Sequence, residues 1–356
     1  MRISLCMIVK DEESVLSRCL SGIFDQVDEI VIVDTGSTDK TKEIAKSFTE
    51  KVYDFVWTDD FSAARNYSFS LATGDYILWL DADDIVQPSE KEKLTLLKKT
   101  LERERPDAVF CPYLCPVNAY TPPLTYNRER FLKRSSNPVW QGAVHECIQT
   151  RGKILRSDFS VLHGGSEKKR GSRNLDIYRK TVQKRTPLSA RDEFYYGREL
   201  YYNGFFVEAI AVLERFLSRP DGWSVNQIEA CKTLSACYLE NNDTKKALSS
   251  LFSSFSYGAP RAGILCEIAH IFTCTNQLIE AKKWYEFALI AGSHRQEGDF
   301  ENEADQTLTP LLGLTVVCYR LGEKEKAKAY HKQAFALFPS HPSVLYNERF
   351  FHNSSV

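Results

Sequence analysis

The sequence predicts an α/β domain with a doubly wound, mainly parallel sheet, followed by an all-α domain of helical repeats. Strand-like and helix-like patterns alternate up to about residue 165, which is typical of a parallel sheet covered by helices. Acidic clusters directly follow two of the strand-like runs, and alanines recur at near-regular intervals in the second half. We therefore expect one domain over residues 1–180 and a second over residues 190–356.

The elements of the first domain follow from its hydrophobic pattern. Continuous apolar runs predict strands buried on both faces, and apolar residues three or four apart predict helices. The predicted strands are 3–9, 29–33, 53–57 and 76–80, with helices at 12–24, 38–44 and 61–71. Shorter strands that we expect to extend the sheet are 108–114, 130–133, 143–148 and 154–161. Residues 164–173 are polar and predict a loop or lid.

The second half shows an internal repeat. Ala209, Ala247, Ala281 and Ala327 each follow one helical pattern and begin another, at intervals of 38, 34 and 46 residues. The tetratricopeptide period is 34, and we expect an insertion over residues 293–305 to lengthen the last interval. Gly197 lies at the small-residue position of the first repeat. Generic helical hairpins are the alternative, and both interpretations predict an α-helical solenoid of three to four repeats.

Composition excludes several classes of protein. The 356 residues carry 46 basic and 47 acidic side chains, so no global charge favours nucleic acid or an anionic membrane. No apolar run reaches 18 residues, so we expect no membrane span, and the apolar start of the chain is interpreted as a strand rather than a signal peptide. The ten scattered cysteines indicate reduced thiols in a cytoplasmic protein.

The acidic clusters carry the chemistry. Asp34 and the run Asp81 to Asp84 follow buried strands, and ligands of such sheets bind beyond the carboxyl ends of the strands. Carboxylates two residues apart can meet one magnesium or manganese ion, which would bridge a diphosphate. The alternative interpretation of residues 81–84 is an acidic turn that caps the following helix.

Four segments in order resemble family 2 glycosyltransferases of the Rossmann-like GT-A fold. They are SLCMIVKDEE at residues 4–13, VIVDTGSTD at 31–39, AARN at 63–66 and YILWLDADD, with its Asp-x-Asp motif, at 76–84. Two later segments, around residues 140–146 and 161–165, resemble further motifs of related enzymes. The likeness covers about residues 1–175 and implies a UDP-sugar donor with Mn²⁺ or Mg²⁺.

The resemblance also implies roles for individual residues. The implied contacts to the nucleotide or the donor sugar are Val9, Asp11, Glu12, Asp34, Arg65, Asp81, Ala82 and Arg173. The implied metal ligands are Asp81, Asp83 and His163. Glu146 is the expected catalytic base of an inverting displacement, with His145 as its rival for that role. Lys10 stands where many relatives carry an aromatic ring, so stacking of the nucleoside is expected to differ.

The two-domain organisation is similar to bacterial glycosyltransferases that modify peptides or proteins, including those that glycosylate cysteine or serine of bacteriocins. This implies transfer of a hexose to a peptide or protein held by the helical repeats. Three alternatives stay open. The acceptor is a lipid-linked sugar or an oligosaccharide, the chain is a nucleotide-binding scaffold without turnover, or the repeat surface joins two copies as a homodimer.

Overall fold

The computed structural model describes residues 1–165, 171–291 and 303–353. Contacts divide the chain into two compact units. The first unit comprises Met1–Cys115 and Thr125–Thr186, and the second comprises Pro116–Leu124 and Pro187–Val356. A short segment between two strands of the first unit thus packs with the second. Within that second unit, the ring of Tyr120 lies 6.0 Å from that of His341.

The first unit contains all strands of the described residues and five of their helices. The strands are β1 (Ile3–Val9), β2 (Glu29–Asp34), β3 (Val52–Asp54), β4 (Tyr76–Trp79), β5 (Asp84–Ile85), β6 (Ala108–Cys115), β7 (Leu124–Lys133), β8 (Trp140–Gln141), β9 (Cys147–Ile148), β10 (Ile154–Arg156) and β11 (Val161–His163). The helices are α1 (Leu16–Ile23), α2 (Thr41–Lys46), α3 (Phe61–Ser70), α4 (Glu90–Glu104) and α5 (Arg173–Gln183).

The main sheet is mixed, and strands β1 to β4 form its parallel half. Strands run β3-β2-β1-β4-β7-β6-β11-β5, and β10 pairs with β6. Strands β1 to β4 are parallel to their neighbours within this group, whereas β7 is antiparallel to β4 and β5 is antiparallel to β11. The carboxyl ends of β1, β2 and β4 therefore meet at one edge, where the polar residues of the sequence motifs follow.

Two of the shorter predicted strands differ from the structure. The strand expected at 143–148 is reduced to β9, because Gly142 and His145 adopt positive φ angles of 98° and 52° that turn the chain. The strand expected at 154–161 is divided into β10 and β11. Both strands are parallel to β6 but pair with different parts of it.

The sheet is buried on both faces. Leu5 and Met7 of β1 pack with α1 and α4 on one face, while Cys6 packs with Trp79 and Trp140 on the other. This two-sided burial explains the continuous apolar runs in the sequence, because no strand position in the centre faces water.

Apart from the segment Pro116–Leu124, the described part of the second unit is built from helices. Its helices are α6 (Ala190–Tyr202), α7 (Phe206–Leu217), α8 (Ser224–Glu240), α9 (Thr244–Ser253), α10 (Ala262–Cys274), α11 (Leu278–Ala291), α12 (Glu303–Gln306), α13 (Leu308–Arg320), α14 (Lys324–Leu337) and α15 (Pro342–Asn353). Consecutive helices pack as hairpins, namely α6 with α7, α8 with α9, α10 with α11 and α13 with α14. Helix α6 also packs on α8, and α10 packs on α13. Among the described residues no helix combines the length and apolar character needed to cross a bilayer.

The predicted repeat alanines occupy equivalent positions. Ala209, Ala247, Ala281 and Ala327 are each the fourth residue of the second helix of a hairpin, and each is fully buried. The backbone N–H of each donates to the residue four positions earlier, which is the cap position of its helix. Residues 293–302 of the insertion expected over 293–305 lie outside the described residues. Its last three residues, 303–305, begin α12.

Candidate active site

A cavity of about 670 Å³ opens at the carboxyl ends of β1 and β4, within the first unit. Nine of the residues implied by the sequence resemblance line it: Val9, Glu12, Arg65, Asp81, Ala82, Asp83, His145, Glu146 and Arg173. Asp11, Asp34 and His163 are not among its lining residues. A second cavity of about 260 Å³, beside Asp107 and Pro138, contains none of the predicted site residues.

Arg65 joins two carboxylates in the wall of the larger cavity. Helix α3 begins where the Asp60 side chain accepts a hydrogen bond from the backbone N–H of Ala63, and one turn later Arg65 faces the cavity. Its Nε donates to Glu146 Oε1 at 2.6 Å, and its Nη2 donates to Asp81 Oδ1 at 2.7 Å. A single guanidinium thus links the Asp-x-Asp motif to the predicted base.

Aromatic rings and charge hold this guanidinium in place. Trp79 and Trp140 lie 5.2 and 4.9 Å from it, which adds cation–π attraction on apolar surface. Burial opposes the charged form of Arg65, but Asp81 and Glu146 more than offset it and raise the pKa of Arg65. Burial likewise opposes ionisation of Asp81, yet Arg65 and Arg130 lower the pKa of Asp81 to about 2. Asp81 is therefore a fixed anion at neutral pH.

Asp81 stands apart from the other two residues that were expected to bind the metal. The group of possible metal ligands within 4.8 Å of one another consists of Asp83, Asp84 and His163, without Asp81. His163 reaches this group because β11 pairs antiparallel with β5 and places it opposite Asp84. Its Nδ1 lies 3.6 Å from Asp83 Oδ2. The Asp81 carboxylate is instead occupied by Arg65, for the electrostatic reason given above.

Asp84 is part of the scaffold behind this group. Its side chain is fully buried and forms an ion pair of 3.0 Å with Arg130, which is also fully buried. It also accepts hydrogen bonds from the Asp81 backbone N–H at 2.9 Å and from the Tyr113 hydroxyl at 2.7 Å. Asp83 and His163 are left as the more exposed members, with 20% and 42% of their side chains accessible. Burial, together with nearby Asp81, raises the pKa of Asp83.

Glu146 has one oxygen fixed and one available. Its Oε1 accepts from Arg65, and Oε2 makes no hydrogen bond to the described protein residues. The side chain is 12% exposed and lines the cavity. The preceding residue, His145, also lines the cavity, with the left-handed backbone noted above. Glu146 and His145, the two candidates for the catalytic base, thus lie in the same wall of the cavity.

Asp11 and Asp34 tie two loops together rather than lining the cavity. Asp11 Oδ1 accepts from the backbone N–H of Thr38 at 2.7 Å, and the Asp11 N–H donates to Ser37. Asp34 Oδ1 accepts from the N–H groups of Gly36 and Ser37. The other oxygen of Asp34, Oδ2, is buried without a hydrogen-bond partner among the described residues. An orphaned carboxylate oxygen of this kind is costly unless a ligand satisfies it.

Arg173 is an exposed cation at the first position of α5 and lines the cavity. Its guanidinium lies 4.7 Å from the ring of Phe61, and burial lowers its pKa. Within the described residues it forms no salt bridge, and Glu12 and Glu146 attract it only from a distance. The neighbouring basic run at 168–170 lies outside the described residues. The position suits an anionic ligand.

Sequence reasoning missed several residues of the cavity. Trp57 and Phe61 line it with ring centroids 4.8 Å apart, and Arg128 lies in the wall with its guanidinium 4.8 Å from Trp79. Trp57 lies in the loop after β3 and Phe61 is the first residue of α3, so aromatic residues between a strand and the next helix were the signal. Arg128 lies on β7, and only the pairing of β7 with β4 brings it to the site.

Fold and site together define an α/β domain that binds ligands at the carboxyl ends of its strands, followed by helical repeats. Residues 4–161 match the sequence model of glycosyl transferase family 2. This part of the chain is thus similar to the family 2 glycosyltransferases, and the predicted mainly parallel α/β sheet followed by helical repeats is confirmed.

Similar proteins match different parts of the chain. A TPR repeat-containing protein of Synechococcus elongatus is 45% identical over 32% of this chain and 30% of its own length. The SPbeta prophage-derived glycosyltransferase SunS of Bacillus subtilis is 28% identical over 67% of this chain and 58% of its own length. The crystal structure of S. aureus TarS 1–349 in complex with UDP has 15% identity and a TM-score of 0.42, covering 69% of this chain and 89% of that one. The chain thus spans less than two thirds of the length of the two curated relatives from Synechococcus elongatus and Bacillus subtilis.

Proposed function

We propose that the protein is a metal-dependent, inverting glycosyltransferase. It moves a hexose from a UDP-sugar to a cysteine, serine or threonine side chain of a peptide or protein. The observation that carries this proposal is one cavity in a family 2 domain that joins Asp83, Arg173 and the Arg65–Glu146 pair. These groups supply a cation site, an anion contact and a carboxylate base, which are the parts that displacement of a diphosphate needs.

The donor is assigned to the side of the cavity nearest β1 and β2. Arg173 has charge to offer a diphosphate. The orphaned oxygen of Asp34 can accept from the N–H of a uracil ring. Lys10 stands where many relatives carry an aromatic ring. Trp57 and Phe61 offer apolar ring surface to the nucleoside in the same cavity. Val9, Glu12 and Ala82 contribute the walls between them.

Asp83 and His163 are the residues we assign to Mn²⁺ or Mg²⁺. Their oxygen and imidazole nitrogen donors suit manganese, and their side chains remain accessible where Asp84 is enclosed. When bound, the metal supplies positive charge that neutralises the departing diphosphate. Asp81, fixed by Arg65, is assigned to the donor ribose or to water around the cation.

Glu146 is the proposed base. Arg65 holds Oε1 and so orients Oε2, which is left to accept the proton of the acceptor nucleophile. The nucleophile then attacks the anomeric carbon on the face opposite the diphosphate, which inverts the configuration. His145 is the alternative base in the same wall.

The acceptor assignment rests on the repeats. Stacked hairpins present side chains of successive first helices along one surface, which suits an extended peptide. On α6 the guanidinium of Arg191 lies 4.9 Å from the Tyr195 ring, and that of Arg198 lies 5.4 Å from the Tyr202 ring. Rings and cations in alternation can contact peptide backbone and side chains. Lipid-linked or saccharide acceptors, and a scaffold without turnover, are the alternatives that experiment must separate.

The donor half is tested by thermal shift with nucleoside diphosphates and nucleotide sugars, with and without Mn²⁺. A ligand that binds the native state raises the melting temperature with the logarithm of its concentration over Kd. We expect a manganese-dependent rise with UDP that Asp83→Asn removes, with Asp107→Asn as a carboxylate control outside the cavity. A rise with no nucleotide would contradict the donor site.

The acceptor half is tested by mass spectrometry with a UDP-hexose panel and three acceptor classes: Cys, Ser or Thr peptides, oligosaccharides and lipid-linked sugars. A mass gain of one hexose on peptides alone supports the proposal, and a gain on another class replaces the acceptor. Glu146→Gln is expected to keep the UDP-dependent thermal shift and lose transfer. If Glu146→Gln retains activity while His145→Gln loses it, the base role belongs to His145.

A further inference from the structure

A buried chain of polar groups stands behind the proposed cation site and ends on His163. Arg130 pairs with Asp84, Asp84 accepts from the Tyr113 hydroxyl, and the same hydroxyl oxygen lies 2.9 Å from His163 Nδ1. These groups come from four strands, β7, β5, β6 and β11. Tyr113 is 6% exposed, and its ring packs against those of Tyr126 and His163.

The hydrogen positions at Asp84 follow from its partners. Oδ2 accepts from the backbone N–H of Asp81 and faces Arg130 at 3.0 Å. Arg130 is fully buried, and a buried guanidinium needs a compensating anion, which Asp84 provides. Asp84 is therefore a carboxylate that can only accept, so the single hydrogen of the Tyr113 hydroxyl must point to Oδ1.

The direction of the hydrogen bond between Tyr113 and His163 follows from that of the bond between Tyr113 and Asp84. A hydroxyl that has given its hydrogen to Asp84 can only accept from the imidazole, so Nδ1 must carry the proton in this contact. Asp83 Oδ2 does not compete for that proton, because its 3.6 Å distance from Nδ1 is beyond hydrogen-bond range. In a neutral imidazole with Nδ1 protonated, Nε2 holds the free lone pair.

We propose that Tyr113 is a positioning residue that fixes His163 as the Nδ1–H tautomer, so that the imidazole offers a divalent cation Nε2 and not Nδ1. The cation part of this inference rests on the proposed function, and the tautomer part does not. The Arg130–Asp84 pair sets the polarity of the whole chain of hydrogen bonds, which acts through Tyr113 and does not touch the substrate. Histidine ligands are commonly oriented in this way through their second nitrogen.

The tautomer is measured first, in the full chain without metal. Protein labelled with ¹⁵N in its seven histidines is studied by long-range ¹H–¹⁵N correlation at about pH 8.5, two units above the ordinary imidazole pKa. His163→Gln assigns the signal. We expect Nδ1 at the shift of a protonated ring nitrogen and Nε2 at that of an unprotonated one. The reverse pattern in the wild-type protein overturns the proposal, even if no variant folds.

Variants then test whether Tyr113 is the cause. In Tyr113→Phe we expect the single-tautomer pattern to give way to averaged shifts at both nitrogens. Tyr126→Phe is the matched control, because it removes a hydroxyl from the neighbouring ring whose centroid lies 5.5 Å away and should leave the His163 signals unchanged. An unchanged Nδ1–H tautomer in Tyr113→Phe would show that another group fixes the ring and would overturn the role of Tyr113.

Direct Mn²⁺ titration by calorimetry or electron paramagnetic resonance separates this inference from the proposed function. Loss of such an orienting partner weakens metal binding by about 10- to 100-fold, which we expect for Tyr113→Phe and not for Tyr126→Phe. Equal affinity of Tyr113→Phe and the wild-type protein overturns the link to the cation. If the wild-type protein binds no Mn²⁺ while its Nδ1–H tautomer is observed, the metal-dependent function fails and the tautomer inference stands.

Discussion

The two units bury polar groups in different ways. In the first unit two buried ion-pair groups lie at the candidate site: Arg65 with Asp81 and Glu146 in the cavity wall, and Arg130 with Asp84 behind Asp83. The second unit also buries a carboxylate, Glu193, but its partners Arg215 and Arg219 belong to the local pairing of helices. Its distinctive feature is small residues repeated at equivalent positions, each of them fully buried.

The two units therefore differ in which interactions contribute to their free energy of unfolding. Buried ion pairs stabilise little in net terms, because desolvation offsets the attraction, and their clustering at a cavity therefore indicates a site. Close contacts between helices stabilise through packing, and a repeat of such contacts indicates an array of equivalent interfaces. Removing one partner of a buried pair should therefore damage both chemistry and folding in the first unit, whereas a change at a helix contact should damage folding alone in the second.

The largest effect is expected at Arg65. Arg65→Met leaves Asp81 and Glu146 without a common cation, and breaking a buried pair in this way costs about 3–5 kcal/mol in the free energy of unfolding. Because Glu146 loses its orientation, we also expect transfer to fall by at least about 100-fold. Chemical denaturation and single-turnover transfer assays measure the two losses.

Arg128→Met is the matched control for Arg65→Met. Arg128 contacts the same Trp79 ring and lines the same cavity, but its salt bridge spans 3.5 Å and joins it only to its chain neighbour Glu129. We expect a smaller loss of stability than for Arg65. If both variants lose equally, the clamp between Asp81 and Glu146 is not what distinguishes Arg65.

An effect of intermediate size is expected in the repeats. Gly313 of α13 faces Tyr285 of α11 so closely that an added Cβ would overlap the phenol ring. Gly313→Ala should therefore cost about 1–3 kcal/mol through overpacking, although alanine is the better helix former. Thermal and chemical denaturation measure the loss, and the Asp83-dependent response to UDP should remain.

Two further variants sharpen this prediction. Tyr285→Leu in the Gly313→Ala background should recover part of the loss, because it removes the ring that the new methyl group meets. Gly263→Ala on α10 is the control, since its Cβ would meet two flexible side chains, with Asp305 Oδ2 at 3.3 Å and Lys232 Nζ at 3.7 Å. A loss of equal size at Gly263 would show that helix glycines matter here for another reason than contact with a ring.

The fold was more accessible from the sequence than the site. Apolar runs located β1, β2 and β4, and the alanine spacing located the second helix of each hairpin, because both patterns are local and periodic. The predicted strand at 143–148 was wrong over its first four residues, because apolar Ala143 and Val144 lie in a turn whose left-handed angles no hydrophobic pattern encodes.

The site depended on strand order, which a single sequence does not reveal. Arg65 and Glu146 are 81 residues apart and meet only in the folded unit. Asp84 was interpreted together with its acidic neighbours, whereas its partners Arg130 and Tyr113 come from strands that join the sheet later in the chain. The sequence motifs predicted Asp83 and His163 as site residues. They did not predict the contacts of Arg130 and Tyr113 with Asp84 behind them.

The smallest effect concerns a buried carboxylate of the first unit that lies away from the cavity. Glu29 is 7% exposed and accepts hydrogen bonds from Thr73 N–H at 2.8 Å and Thr73 Oγ1 at 2.9 Å, with further contacts to Ser4 and Lys51. Burial opposes its ionisation, but Lys51, Ser4 and Thr73 more than offset this and lower the pKa of Glu29 to about 2. Glu29 thus joins β1 and β2 to the segment before β4.

Glu29→Gln should make stability less dependent on pH. A carboxyl whose pKa is lower in the folded than in the unfolded state, where it is ordinarily about 4.3, stabilises the fold above that ordinary value. This contribution is lost as the pH falls from about 4 toward 2, so the wild-type protein and Glu29→Gln should converge in free energy of unfolding over that range. Exposed Glu50→Gln is the control and should differ little from the wild-type protein at any pH. A constant gap between Glu29→Gln and the wild-type protein would mean that packing of the side chain, and not its charge, holds these strands together.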